Sequence, residues 1–168
     1  MADRAEILGP GPGEIRLRVN GQGYRIYAPP SRTLLDALRD EIGLTGTKKV
    51  CDQGQCGACT VLRDGQAVYS CLMLAAECGD AEITTIEGVA AADGSLHPIQ
   101  QAFLECDGLQ CGFCTPGQIL AAKALLARHP SPSHEEIEQG MAGNLCRCGA
   151  YPGIARAVEQ AAKTLQGG

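Results

Sequence analysis

The chain has 168 residues, 45% hydrophobic and 20% charged, with a formal net charge of −5. That length holds one medium domain or two small ones, and the composition is that of a soluble globular protein. A net acidic surface without long Lys/Arg runs excludes nucleic acid or an anionic membrane as the natural partner. No uncharged apolar run approaches the roughly 18 residues that span a bilayer, which excludes membrane insertion.

The opening residues, MADRAEILGPGPGEIRL, lack the basic start, apolar core and cleavage site of a secretory leader, and they carry no twin arginine. The expected compartment is the cytoplasm. In a reducing compartment ten cysteines point to metal more than to disulfides.

The first half carries strand signals. Ile15, Leu17 and Val19 alternate with Glu14, Arg16 and Arg18, the period of a half-buried strand, and Asn20-Gly21 is a two-residue hairpin turn before YRIYA. TLLDALRDEIG then places Leu34, Leu35, Leu38 and Ile42 on one helical face, with Thr33 and Asp36 spaced as a capping box and Gly43 as the stop. After a cysteine loop, CTVLRDGQAVYSC predicts a second hairpin turning at Asp64-Gly65, and AEITTIEG a fifth short strand. The small, polar, Gly- and Pro-punctuated GVAAADGSLHP suits a connection between domains. Beyond it the period is helical: PIQQAFLEC, then PGQILAAKALLARH with Thr115 as N-cap, Pro116 at N1 and Gln118 completing the box. SHEEIEQGM opens on another box at Ser133 and Glu136, and PGIARAVEQAAKTL closes the chain. The expectation is an α+β protein with a small sheet domain over 13–87 and a bundle of about four helices over 88–168.

Eight of the cysteines form two spaced sets. Cys51, Cys56 and Cys59 make a C-x4-C-x2-C loop, with Cys71 after the second hairpin. This is the plant-type ferredoxin spacing for a [2Fe–2S] cluster. Gly54, Gly57 and Ala58 let the backbone approach closely and aim N–H groups at an anionic cluster, and Lys48 and Lys49 add positive charge or are simply solvated. The same four thiols could bind one zinc ion, but structural zinc draws on paired C-x2-C knuckles, whereas here three ligands gather on one tight turn. The second set is Cys111 and Cys114 in LQCGFCTPG, with Cys146 and Cys148 in AGNLCRCGAYPG. Both pairs precede helices, where free N–H groups and partial positive charge favour thiolates. A C-x-C pair is unusual for a zinc knuckle and suits a cluster wrapped from two sides.

CDQGQCGACTV, QCGFCTPG and AGNLCRCGAYPGI, in this order and separation, resemble the iron–sulfur subunit or domain of the molybdenum hydroxylases, the xanthine dehydrogenase and aldehyde oxidoreductase family. The resemblance covers roughly residues 13 to 164. It implies a β-grasp, plant-type ferredoxin-like domain holding one [2Fe–2S] cluster through Cys51, Cys56, Cys59 and Cys71. It also implies a four-helix bundle domain holding a second through Cys111, Cys114, Cys146 and Cys148. By position, Cys148 would also touch the edge of a molybdopterin and Gln110 would hydrogen-bond it, against the plainer reading of Gln110 as a polar residue near a helix start. The implied partners are a large molybdopterin-binding subunit and a medium FAD-binding subunit, in a dimer of heterotrimers. The implied role is an oxidoreductase-complex subunit that relays single electrons from the molybdenum centre to FAD or another acceptor.

Two other readings stand beside it: a zinc-stabilised interaction module without redox role, and a free-standing two-cluster ferredoxin. Val50 stands where glycine is common in the family and removes no ligand. Cys78 and Cys106 match no motif position and are expected to be small buried hydrophobes. His97, His129 and His134 lie in loops or helix ends, where surface or capping roles suit them. Without a GxGxxG after a strand or a P-loop, nothing in the chain resembles substrate chemistry.

Overall fold

The computed structural model describes residues 11–167; the leaderless reading rests mostly on residues outside that range. Strands β1 (Gly13–Val19) and β2 (Gln22–Ala28) pair antiparallel from Val19↔Gln22 to Gly13↔Ala28. Asn20 and Gly21, at φ 52° and 75°, take the two left-handed positions of a type I′ turn. Ile15, Leu17 and Val19 are buried while Glu14, Arg16 and Arg18 face solvent, so the alternation sets the register. The second hairpin, β3 (Thr60–Arg63) and β4 (Gln66–Tyr69), turns the same way at Asp64 and Gly65, φ 50° and 80°.

Strand β5 (Glu82–Thr84) lies between the hairpins, parallel to β1 and antiparallel to β3, in the order β2-β1-β5-β3-β4. The parallel pair needs a crossover connection, and the chain uses it to carry a helix and the first cysteine loop. Helix α1 (Leu34–Asp36) widens into a π-helical turn over Ala37–Glu41, with the Ile42 N–H donating to Ala37 O at 3.0 Å. The plain α-helix expected here is therefore corrected. The wider turn sends Leu34, Ala37 and Leu38 into the sheet core and Leu35 onto Cys59 and Cys71. Of the expected capping box, Thr33 Oγ1 accepts the Asp36 N–H at 3.1 Å, while the Asp36 carboxylate takes the Lys49 ammonium at 2.8 Å.

The second half is helical, as expected: α2 (Pro98–Glu105), α3 (Thr115–Arg128), α4 (His134–Met141) and α5 (Tyr151–Leu165). They pack around Ile99, Phe103, Leu120, Ile137 and Val158, each such side chain contributing about 1.5–3 kcal/mol on burial. His97 caps α2, its Nδ1 accepting the Ile99 N–H at 3.2 Å, and the Ser133–Glu136 box closes α4 as expected. Thr115 does not cap α3. Cys114 holds the cap position, the Thr115 hydroxyl is buried without a partner among the described residues, and Gln118 turns away to donate to Asn144 O at 2.7 Å. A buried carbonyl that must be paired outranks a local box.

Cys78 is buried in the sheet core, and burial raises its thiol pKa. Cys106 departs from the expectation: it is only half-buried at the end of α2, and its thiol donates to Gln160 Oε1 at 3.1 Å. The two halves are in contact, with α3 lying against β3 and Leu62 of β3 buried in the helical core. Among the described residues no helix is long and apolar enough to cross a membrane.

Candidate metal centres

The first four thiols gather where the crossover loop meets the second hairpin. Asp52, Gly54 and Gly57 take positive φ of 57°, 75° and 70°, which turns N–H groups inward around the loop. The Gln55 N–H donates to Cys51 Sγ at 3.3 Å. Backbone donation by Gln53, then the contact with Cys56, pulls the Cys51 thiol pKa down to about 7. Cys59 and Cys71 form the inner pair, buried against Leu35 and Tyr69, and burial pushes Cys59 up to about 12. The quartet is thus two thiol pairs, Cys51 with Cys56 and Cys59 with Cys71.

The second four thiols repeat this plan with different supports. Cys111 pairs with Cys148 and Cys114 with Cys146, so each pair takes one thiol from the loop before α3 and one from the loop before α5. Cys111 is exposed, its pKa lowered by the Phe113 N–H and then by Cys148, whereas burial pushes Cys114 up to about 12. Tyr151, opening α5, holds the second loop by accepting the Cys146 N–H on its hydroxyl at 2.9 Å. Gln110 is exposed immediately before Cys111, and Cys148, which pairs with Cys111, is half-buried.

Donor chemistry distinguishes the metals these quartets suit. A structural zinc ion draws four ligands around one point, commonly from two C-x2-C knuckles, whereas the first set puts three thiols on one loop and the second uses a C-x-C pair. Two thiol pairs backed by inward N–H groups are what a two-iron cage with four thiolate ligands takes. Buried thiols near 12 stay protonated by themselves, so loading such a cage displaces protons from them.

The loops also touch each other. The Leu145 N–H donates to Cys56 O at 2.9 Å, and the Tyr69 hydroxyl donates to Gly143 O at 2.8 Å. The Lys48 ammonium lies 5.8 Å from the centre of the Phe113 ring, a cation–π contact between the two cysteine loops. Lys49 is bound instead to Asp36 and Asp52, at 2.8 and 3.0 Å. Reading the motifs for cysteines alone passes over Tyr69, Asn144 and Tyr151. Asn144 had the clearer signal, an amide in a glycine-rich cysteine loop.

Residues 17–85 match the family described as the 2Fe-2S iron-sulfur cluster binding domain, and residues 85–159 the [2Fe-2S] binding domain. Over 147 residues the chain is 50% identical to the nicotinate dehydrogenase small FeS subunit of Eubacterium barkeri, covering 88% of this chain and 93% of that one. It superposes on a chain of quinoline 2-oxidoreductase from Pseudomonas putida 86 with a TM-score of 0.88 and 41% identity, over 94% and 98% of the two chains. Against the aldehyde oxidoreductase of Desulfovibrio desulfuricans the TM-score is 0.86 at 42% identity, covering 92% of this chain but 17% of the longer one. With both cluster-binding families matched in sequence order and paired thiols in each half, the chain belongs to the iron–sulfur subunits of the molybdenum hydroxylase family.

Proposed function

We propose that this chain is the electron-transfer subunit of a heteromeric molybdenum hydroxylase. In this reading Cys51, Cys56, Cys59 and Cys71 hold one [2Fe–2S] cluster, and Cys111, Cys114, Cys146 and Cys148 hold the other. The domains run 13–87 and 88–168, a division supported by family matches that meet at residue 85 and by the irregular stretch before α2. Each cluster, when bound, takes up and gives back one electron at a potential set by charge, exposure and N–H donation to sulfur. The protein's part is to hold eight thiolates, point N–H groups at their sulfurs, keep water from Cys59, Cys71 and Cys146, and bring the two sets together.

The observation that carries this reading is the Leu145–Cys56 hydrogen bond. It joins the backbone of a first-set cysteine to the residue preceding Cys146, so the two quartets share one short path of covalent and hydrogen bonds. A zinc-stabilised module has no need of that contact.

The exposed edge with Gln110, Cys111 and Cys148 is where a large molybdopterin-binding subunit would dock, Cys148 and Gln110 touching its cofactor. A medium FAD-binding subunit would face the first set, in a dimer of heterotrimers located in the cytoplasm. The FeS-subunit relative and the longer aldehyde oxidoreductase chain support the large partner. Exposed Val50, Phe113 and Leu145 around the cysteine loops support a covered surface over a free-standing ferredoxin.

The purified protein is expected to be brown, with about four iron and four sulfide per chain and two distinct paramagnetic signals on reduction. In Cys148→Ser the signal of the second set is lost or altered while that of the first stays nearly intact. A colourless, zinc-loaded chain overturns the proposal.

A further inference from the structure

The cysteine loops meet at a seam that leaves no room for side chains. A Cβ on Gly57 would collide with Gly143 O and Asn144, one on Gly143 with the Tyr69 hydroxyl, and one on Gly117 would stand 2.5 Å from Gly57 O. Backbone therefore meets backbone, and among the few polar side chains buried at the seam is Asn144, 5% exposed.

Its side-chain amide clasps the first cysteine loop: Nδ2 donates to Gly57 O at 2.9 Å and to Thr60 Oγ1 at 3.1 Å. The Asn144 backbone carbonyl accepts from buried Gln118 Nε2 at 2.7 Å, which ties the residue to α3. Thr60 Oγ1 in turn donates to Gly57 O at 2.7 Å. Gly57 lies between Cys56 and Cys59, Thr60 follows Cys59, Gln118 is in the first turn after Cys114, and Asn144 itself precedes Cys146 by two residues. A neutral amide supplies two donors from one short side chain; an ionised aspartate supplies none and would set negative charge against the Gly57 carbonyl.

We infer that Asn144 is a positioning residue that sets the separation and relative orientation of the two cysteine quartets, and with them the rate of electron passage between the groups they hold. This rests on the two-cluster reading above. Asn144 is not a ligand; it acts through Gly57 and Thr60 on one side and through its own loop on the other.

The test uses the purified complex with Asn144→Ala and, separately, Thr60→Val, which removes the acceptor oxygen without touching the loop of Cys146. Asn144→Ala is expected to keep about four iron per chain. Hydrogen exchange at the Leu145 amide should rise roughly tenfold, the scale of one lost buried hydrogen bond. The magnetic splitting between the two reduced clusters, which depends on distance and orientation, should change. Intercluster transfer followed after rapid reduction should slow by about tenfold or more, as ångström-scale misplacement does at a reacting pair. Thr60→Val should move the splitting and the rate in the same direction by less. An unchanged splitting and rate in both variants overturns the inference, and Thr60→Val alone decides it if Asn144→Ala fails to load the second set. A wild-type complex without two signals overturns the two-cluster reading and this inference with it.

Discussion

The two thiol quartets have the same plan, an outer pair and an inner pair, but they are built by opposite means. The first takes three of its four cysteines from one nine-residue loop, shaped by left-handed Asp52, Gly54 and Gly57, and adds Cys71 from the end of an adjoining hairpin. The second takes two thiols from each of two helix approaches more than thirty residues apart, and every pair crosses between them. Local backbone conformation makes one site; helix packing makes the other. The first should accordingly be sensitive to loop glycines, and the second to the hydrophobic core of the bundle.

The hardest test of that contrast is Gly57→Val, because Gly57 belongs to both sites. A valine at φ 70° is strained, and its side chain would be driven into Gly143 and Asn144. Overpacking alone costs about 1–3 kcal/mol, to which the strain adds. Iron and sulfide content should fall by more than half, with both paramagnetic signals affected. Loss of only the first signal would show the seam to be more compliant than the structure indicates.

Phe103→Ala comes next. Phe103 has no exposed surface in the helical core, and its truncation should cost about 3–5 kcal/mol. Calorimetry is expected to show the helical half unfolding first, with the second cluster signal lost before the first. A single coincident transition would mean that Leu62 and the α3–β3 contact weld the halves into one unit.

Alkylation of the metal-free chain should resolve the outer and inner pairs. Cys51, lowered to about 7, and exposed Cys111, also lowered, should react first at about pH 8, while buried Cys59 and half-buried Cys114, raised to about 12, react last. Thiolate is the reactive form, so moving from about pH 8 to about pH 6 should slow Cys51 roughly tenfold. Mass spectrometry of labelled peptides reads that order, and uniform labelling would show that the unloaded loops are open.

The smallest effect should come from His134, whose pKa is raised by its hydrogen bond to Glu159, 2.8 Å away. A raised pKa stabilises the fold below the unfolded-state value, and that contribution is lost as pH rises through the folded-state value. Thermal denaturation of His134→Ala should therefore show a slightly lower Tm than wild type at about pH 6 and none of that difference at about pH 8.

Much of this is written locally in the chain. Both hairpins follow from period-two alternation and Asn-Gly or Asp-Gly turns, and the α4 cap from Ser133 and Glu136, because each signal acts through neighbours a few residues away. The C-x4-C-x2-C loop was legible for the same reason. Thr115 and Gln118 misled because their spacing meets the rule for a capping box while a distant carbonyl makes a stronger demand on Gln118. The π-turn after α1 carried no signal, since it answers two cores, one on the sheet and one under Cys59.

The amino-acid sequence alone determined which residue types are present at which spacings: eight grouped cysteines, glycines where backbone must turn left-handed, and a strand half followed by a helical half. Only the tertiary structure decided which thiol meets which, that Leu145 bonds to Cys56, and that Asn144 sits between the loops. The physical reason is range. Turn, cap and loop preferences are energies of adjacent residues, whereas the crossed thiol pairs and the glycine seam exist only once α3 has packed on β3 and α5 has closed over it.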